Sequence, residues 1–199
     1  MPIIRLPGGS LRDEVRQPIY DTIDIQAGES PIADRDFFAN VQGKSLVLTN
    51  LRQNKLLETA VSFRVQGLGL DAQNIYAANL AVLPLIMESS SLSLKVGEKN
   101  YWQSPATFVA GRLEQQSAVS VAAAGPAIHD AYQHLGQAAV APVVFMGKHV
   151  VDINPLQSFD VMLSTSGMTA AEIAAATPVA ATKLRLVFSF KGLQRRPVQ

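Results

Sequence analysis

Three histidines, His129, His134 and His149, are the side chains in this chain best suited to hold a metal or move a proton near neutral pH. Their spacing serves neither purpose. No His-x-His followed by a carboxylate occurs, as a metal-binding cupin barrel would need, and His129 and His134 point in different directions if they share one short helix. Glu88, Glu98, Asp130, Asp152 and Asp160 are scattered over expected strand ends and loops, whereas a glycosidase needs two carboxyl groups converging on one bond. There is no Gly-x-Ser-x-Gly nucleophile elbow, and Ser164-Thr165-Ser166-Gly167 reads as a polar loop. Gly8-Gly9-Ser10 lacks the lysine and the flanking strand and helix of a phosphate-binding loop. Cysteine is absent, which excludes disulfides, thiolate metal sites and cysteine nucleophiles together. The expectation is a protein that is not an enzyme, with no catalytic residue, no cofactor and no metal site.

Two short pairs keep a binding role. Tyr101-Trp102 offers either an aromatic platform for a sugar ring or an anchor at a subunit interface, against the plainer reading that it packs on its own core. Arg195-Arg196 is the one locally basic stretch in a chain of net charge +1. Two cations are a small footprint for nucleic acid, whose binding relies on clustered positive charge. A contact between subunits is the better reading, and no specific nucleic-acid binding is expected.

The elements that must carry these residues read mostly as strands. The clearest is Thr182 to Lys191, where Leu184, Leu186, Phe188 and Phe190 fall on one face and Lys183, Arg185, Ser189 and Lys191 on the other. It has no Gly or Pro, so it belongs inside a sheet with partners on both edges. Its cations are expected to face solvent or a neighbour. Further strands are expected over 17–26 with Asp21 on the isoleucine face, 45–51, 60–70, 91–96, 143–153 and 158–164, with weaker ones over 107–110 and 118–122. Gly67 and Gly69 mark a bulge or a close backbone approach. Residues 77–87 read as a short helix broken at Pro84 or as a buried strand. Helices are expected over 126–135, between Pro126 and Gly136, and after the capping box Thr169-Ala-Ala-Glu172.

About eight or nine strands at irregular spacing, with two or three short helices in the connections, give an all-β fold: an antiparallel jelly-roll sandwich whose last strand lies beside its first. Residues 1–17, with Pro2, Pro7, Gly8 and Gly9, read as an N-terminal arm, 18–191 as a single jelly-roll domain, and 192–199 as a C-terminal tail that leaves the sheet. At 199 residues and 48% hydrophobic content the chain can bury a core without staples. No signal-peptide pattern opens it, and its longest apolar run falls short of the roughly 20 residues that cross a bilayer. Synthesis in the cytoplasm is expected.

Several stretches together resemble the jelly-roll capsid proteins of tailless icosahedral bacteriophages, including those with an internal membrane. They are Phe37-Phe38 with Gln42-Gly43-Lys44 and Thr49-Asn50-Leu51, then Phe63 to Leu70, Leu92 to Tyr101 with Pro105, Pro155 to Phe159, and Leu193 to Gln199. The likeness runs over residues 36–199 as order and texture. Most such proteins carry two jelly rolls, and this chain has room for one. The resemblance implies a virion structural protein, made in the host cytoplasm, that self-assembles through trimers or pseudo-hexameric capsomers into an icosahedral shell. Its implied partners are copies of itself, other capsid or penton proteins and an internal membrane. The alternative is a carbohydrate- or receptor-binding β-sandwich, a fibre or spike domain of a virion, motivated by Tyr101-Trp102.

Overall fold

The computed structural model describes residues 3–5, 11–73, 82–109, 143–145, 150–177 and 183–197. The three histidines, Asp130, the helix expected over 126–135 and the strand expected over 118–122 lie outside them. Among the described residues eleven strands form two antiparallel sheets: β1 (Ile3–Arg5), β2 (Leu11–Arg16), β3 (Ile19–Ile25), β4 (Asp34–Phe37), β5 (Ser62–Gln73), β6 (Ser90–Val96), β7 (Lys99–Pro105), β8 (Val143–Val144), β9 (Val151–Ile153), β10 (Phe159–Thr165) and β11 (Leu184–Pro197). The first sheet runs β1-β2-β11-β5-β8, with β3 also on β11 and β9 also on β5, and the second runs β4-β10-β6-β7. The fold is an all-β sandwich.

The pairing is nested. β6 pairs with β7, β5 with β8 and β9, β4 with β10, and β3 with β11, each pair enclosing the one before it in sequence. Lateral pairing of β11 with β5 and of β10 with β6 then joins the pairs into the two sheets.

β11 holds the middle of the first sheet because its sequence leaves it no other place. Leu184, Leu186, Phe188 and Phe190 are all fully buried, and both of its edges are paired. Phe190 stacks on Phe38 at 5.6 Å between ring centroids and meets Phe159 edge-on at 5.5 Å, so side chains from both sheets close over one aromatic cluster. Phe37 and Phe38 are adjacent yet both buried, which regular alternation along a strand forbids. Phe38 solves this by taking a left-handed conformation, φ 63°. That turn costs about 1–2 kcal/mol for a residue with a side chain, and packing of the ring offsets it.

The tail expected to leave the sheet at Gly192 instead continues β11 to Pro197. Residues 193–197 pair with residues 12–16, which the sequence placed in an arm. Ile19 lies opposite Phe190 and Arg16 opposite Leu193, so β2 and β3 share one register along β11, interrupted only around Pro18, which has no N–H to give. The glycine that looked like a terminator is a packing requirement. A Cβ on Gly192 would come within 2.0 Å of the Arg64 carbonyl oxygen across the bulge between β11 and β5. The irregularity falls there, beside Gly67 rather than at Gly69.

Other expectations are corrected too. Residues 46–48 form a turn, with Leu46 and Val47 exposed, and Thr49 keeps only an isolated bridge to Asp21, because apolar residues on both sides of the stretch 45–51 give it no face to bury. Asn50 nevertheless covers the open edge of β3: its Oδ1 accepts from Tyr20 N at 3.0 Å and its Nδ2 donates to Pro18 O at 2.7 Å. Residues 106–108 form a 3-10 turn and not a strand, and the strand expected over 143–153 is divided between β8 and β9. Ser164 and Thr165 end β10, where the Thr165 hydroxyl meets that of Ser90 at 2.7 Å.

Among the described residues two short α-helices lie in the connections. α1 (Val82–Glu88) begins before Pro84 rather than breaking at it, since the first turn of a helix needs no N–H from that residue. α2 (Ala170–Ala176) opens on the expected capping box, with Glu172 N donating to Thr169 Oγ1 and Thr169 N to Glu172 Oε2. No helix among the described residues is long and apolar enough to cross a membrane.

Candidate functional site

Strand alternation decides the fate of Tyr101-Trp102. β7 pairs with β6 so that Trp102 stands opposite Leu94, a core residue, and its ring packs against the core. Tyr101 turns outward, and Lys99 Nζ sits 4.7 Å over its ring. The two aromatics therefore share no platform. The register shifts at Leu94/Lys95, opposite Tyr101, and places Asn100 rather than Tyr101 across from Lys95. This bulge presents Asn100 on the outer face beside Tyr101, a re-aiming that regular pleating does not allow.

That outer face carries a groove of about 470 Å³ lined by Asp36, Lys55, Ser93, Lys95, Asn100, Gln103, Asp160 and Met162. Register builds it in rows. Asp36, Met162, Ser93 and Gln103 stand opposite one another across β4, β10, β6 and β7, and Asp160, Lys95 and Asn100 form the next row. Lys55 reaches in from the connection of residues 38–61. Its Nζ lies 2.6 Å from Asp160 Oδ1 and 3.0 Å from Asp36 Oδ2. Partial burial works against the charge on Lys55, but hydrogen bonds from the ammonium to Asp160 and Asp36, and their charges, outweigh it and hold its pKa above the usual lysine range. Two carboxylates thus converge, as a glycosidase would require, but on a cation that occupies the space between them. Asp152 is likewise committed, to Arg64 Nε at 2.9 Å.

The basic residues are placed within the first sheet. Arg195 Nε donates to Glu14 Oε2 at 2.9 Å, and the pair stands directly opposite across β11 and β2. Arg196 lies next to it, opposite Asp13. At the other end of β11, Arg185 binds Asp24 through Nε at 2.7 Å and Nη2 at 3.1 Å, and Lys183 Nζ adds a third contact at 2.8 Å. The Arg185 hydrogen bond, opposed by partial burial and aided by Lys183, holds Asp24 below the usual carboxylate range. Arg185 and Arg195 are thus paired within the sheet, whereas Lys183 and Arg196 remain at least partly exposed on it, where the sequence expectation of cations facing solvent or a neighbour still holds.

One ionic group the sequence reading did not value lies in the core. Asp21, on the isoleucine face of β3, has a side chain only 1% exposed; it accepts from Phe38 N at 2.7 Å and from Lys44 Nζ at 2.8 Å. Lys44 also donates to Thr22 O at 2.6 Å. The carboxylate therefore satisfies the backbone of the left-handed turn that returns Phe38 to the core. A carboxylate on an apolar strand face was the available signal, because a buried charge must be paired. Among the described residues no group of three or more His, Asp or Glu is placed to hold a metal ion. Comparison with protein families, curated proteins and solved structures finds no match to this chain.

Proposed function

We propose that this protein is a virion structural protein, a capsid subunit that assembles with copies of itself into an icosahedral shell. The observation that supports this reading is the nested strand order. β3-β11-β5 with β8 and β9 in one sheet, and β4-β10-β6-β7 in the other, follow the path of one long hairpin of eight strands, β8 and β9 counting as one broken strand, rolled over itself. We read this as a single jelly roll, an architecture shared by viral capsid proteins, lectins and cupins. Among these the capsid reading fits the bacteriophage resemblance of residues 36–199 and the exposed Leu46, Val47 and Leu156 in connections at one end of the sandwich. A shell subunit needs a rigid sandwich and surfaces that associate repeatedly under symmetry, and it needs no catalytic group. Its partners on this reading are further copies, as trimers or pseudo-hexameric capsomers, with other capsid or penton proteins and a membrane beneath the shell.

The test is the state of association of the purified chain. Light scattering coupled to size exclusion, over a range of protein and salt concentrations, is expected to show trimers or larger assemblies. A strict monomer under every condition would reject the proposal.

A further inference from the structure

We infer that the groove on the outer face of the second sheet is a binding subsite for a neutral saccharide. The inference goes beyond assembly and stands whether or not the chain forms a shell. It rests on which polar groups are already engaged and which remain available. Asp36 and Asp160 are held by Lys55, and Lys95 lies 3.6 Å from Glu98. Ser93, Asn100 and Gln103, by contrast, make no side-chain hydrogen bond to any described residue and line the groove side by side.

Those three side chains supply a hydroxyl and two primary amides, each offering donors and acceptors without charge. A pair of neighbouring sugar hydroxyls presents the same mixture, so an amide can accept from one and donate to the next. The lining contains two carboxylates and two ammonium groups, giving no net charge to attract an anion or a cation. Met162, 38% exposed in the middle of the row, gives an apolar surface for the C–H face of a ring. Its volume is within the range of ordinary small-molecule sites, about 300–1,000 Å³. The bulge at Tyr101 is what brings Asn100 to this face, and bulges recur beside binding sites for that reason.

The test applies the full-length protein to an array of neutral, sialylated and sulfated glycans, followed by titration of the strongest neutral hit by saturation-transfer NMR. Retention of neutral glycans is expected, with at least a tenfold loss of affinity in the Asn100→Ala/Gln103→Ala double variant and an unchanged melting temperature. Ser93→Lys, which fills the groove from another strand, should lose binding as well. An array with no retained glycan, retention of the acidic glycans alone, or full affinity in both folded variants would overturn the assignment.

Discussion

One connection, residues 38–61, sends two lysines to two carboxylate sites that differ in burial, and the two do different work. Lys44 reaches Asp21 on β3, whose side chain is 1% exposed and whose other oxygen takes the Phe38 N–H. Lys55 reaches Asp36 and Asp160 on the second sheet, whose side chains are 41% and 38% exposed. The chemistry is the same, an ammonium on carboxylate oxygen at under or about 3 Å. Burial makes the difference. In the core, removing one partner strands a charge away from water, whereas on the groove face water replaces whatever is removed. The first group therefore holds the fold, and the second belongs to a wet surface that can rearrange around a ligand.

Lys44→Met should have the largest effect of all. It leaves Asp21 buried and without its cation, at a cost of about 3–5 kcal/mol, measured as a shift in urea midpoint. The double variant Asp21→Asn/Lys44→Met should recover part of that loss, and equal destabilisation of single and double variants would show that the stranded charge is not the cause. Asp24 lies between the extremes. Its folded pKa is depressed, so its contribution is fully present above the unfolded value of about 3.9 and is lost as pH falls through the folded value. Asp24→Asn should cost about 1 kcal/mol at neutral pH, and the gap from the parent should close under acid. A gap that persists at the lowest pH where the protein stays folded would contradict the linkage.

Lys55→Met should have a much smaller effect than Lys44→Met, within about 1 kcal/mol, although it leaves two carboxylates facing one another. Because the folded pKa of Lys55 is raised, its contribution is present below the unfolded value of about 10.4 and fades as pH rises through the folded value. A loss for Lys55→Met as large as that for Lys44→Met would erase the distinction between the two sites. Stability unchanged in the groove variants Asn100→Ala and Gln103→Ala, to within about 0.5 kcal/mol, would sharpen it.

The strands with one apolar face were legible in the sequence: residues 184–190 and 91–96 alternate without a fault, and their burial alternates with them. So was the capping box at Thr169, since its signal is local. What escaped depends on partners far away in the chain. Read alone, Gly192 looks like the end of a strand and residues 1–17 like an arm, and only the pairing of β2 with the end of β11 shows that a single register runs past Gly192 and Pro18. Asp21 looked like a flaw in a strand until Lys44 and the Phe38 turn were placed around it. The groove was the least legible part. Its lining comes from four strands and a connection, and the bulge that presents Asn100 leaves no mark in composition. Polar residues at alternate positions of β6 and β7 were its only trace.

The central claim is that these nested sheets form the subunit of a shell, and electron microscopy of the purified full-length chain tests it most directly. Grids prepared across a series of protein and salt concentrations should show closed particles, ordered arrays or discrete capsomers. Dispersed single subunits at every concentration, from protein shown to be folded, would contradict it.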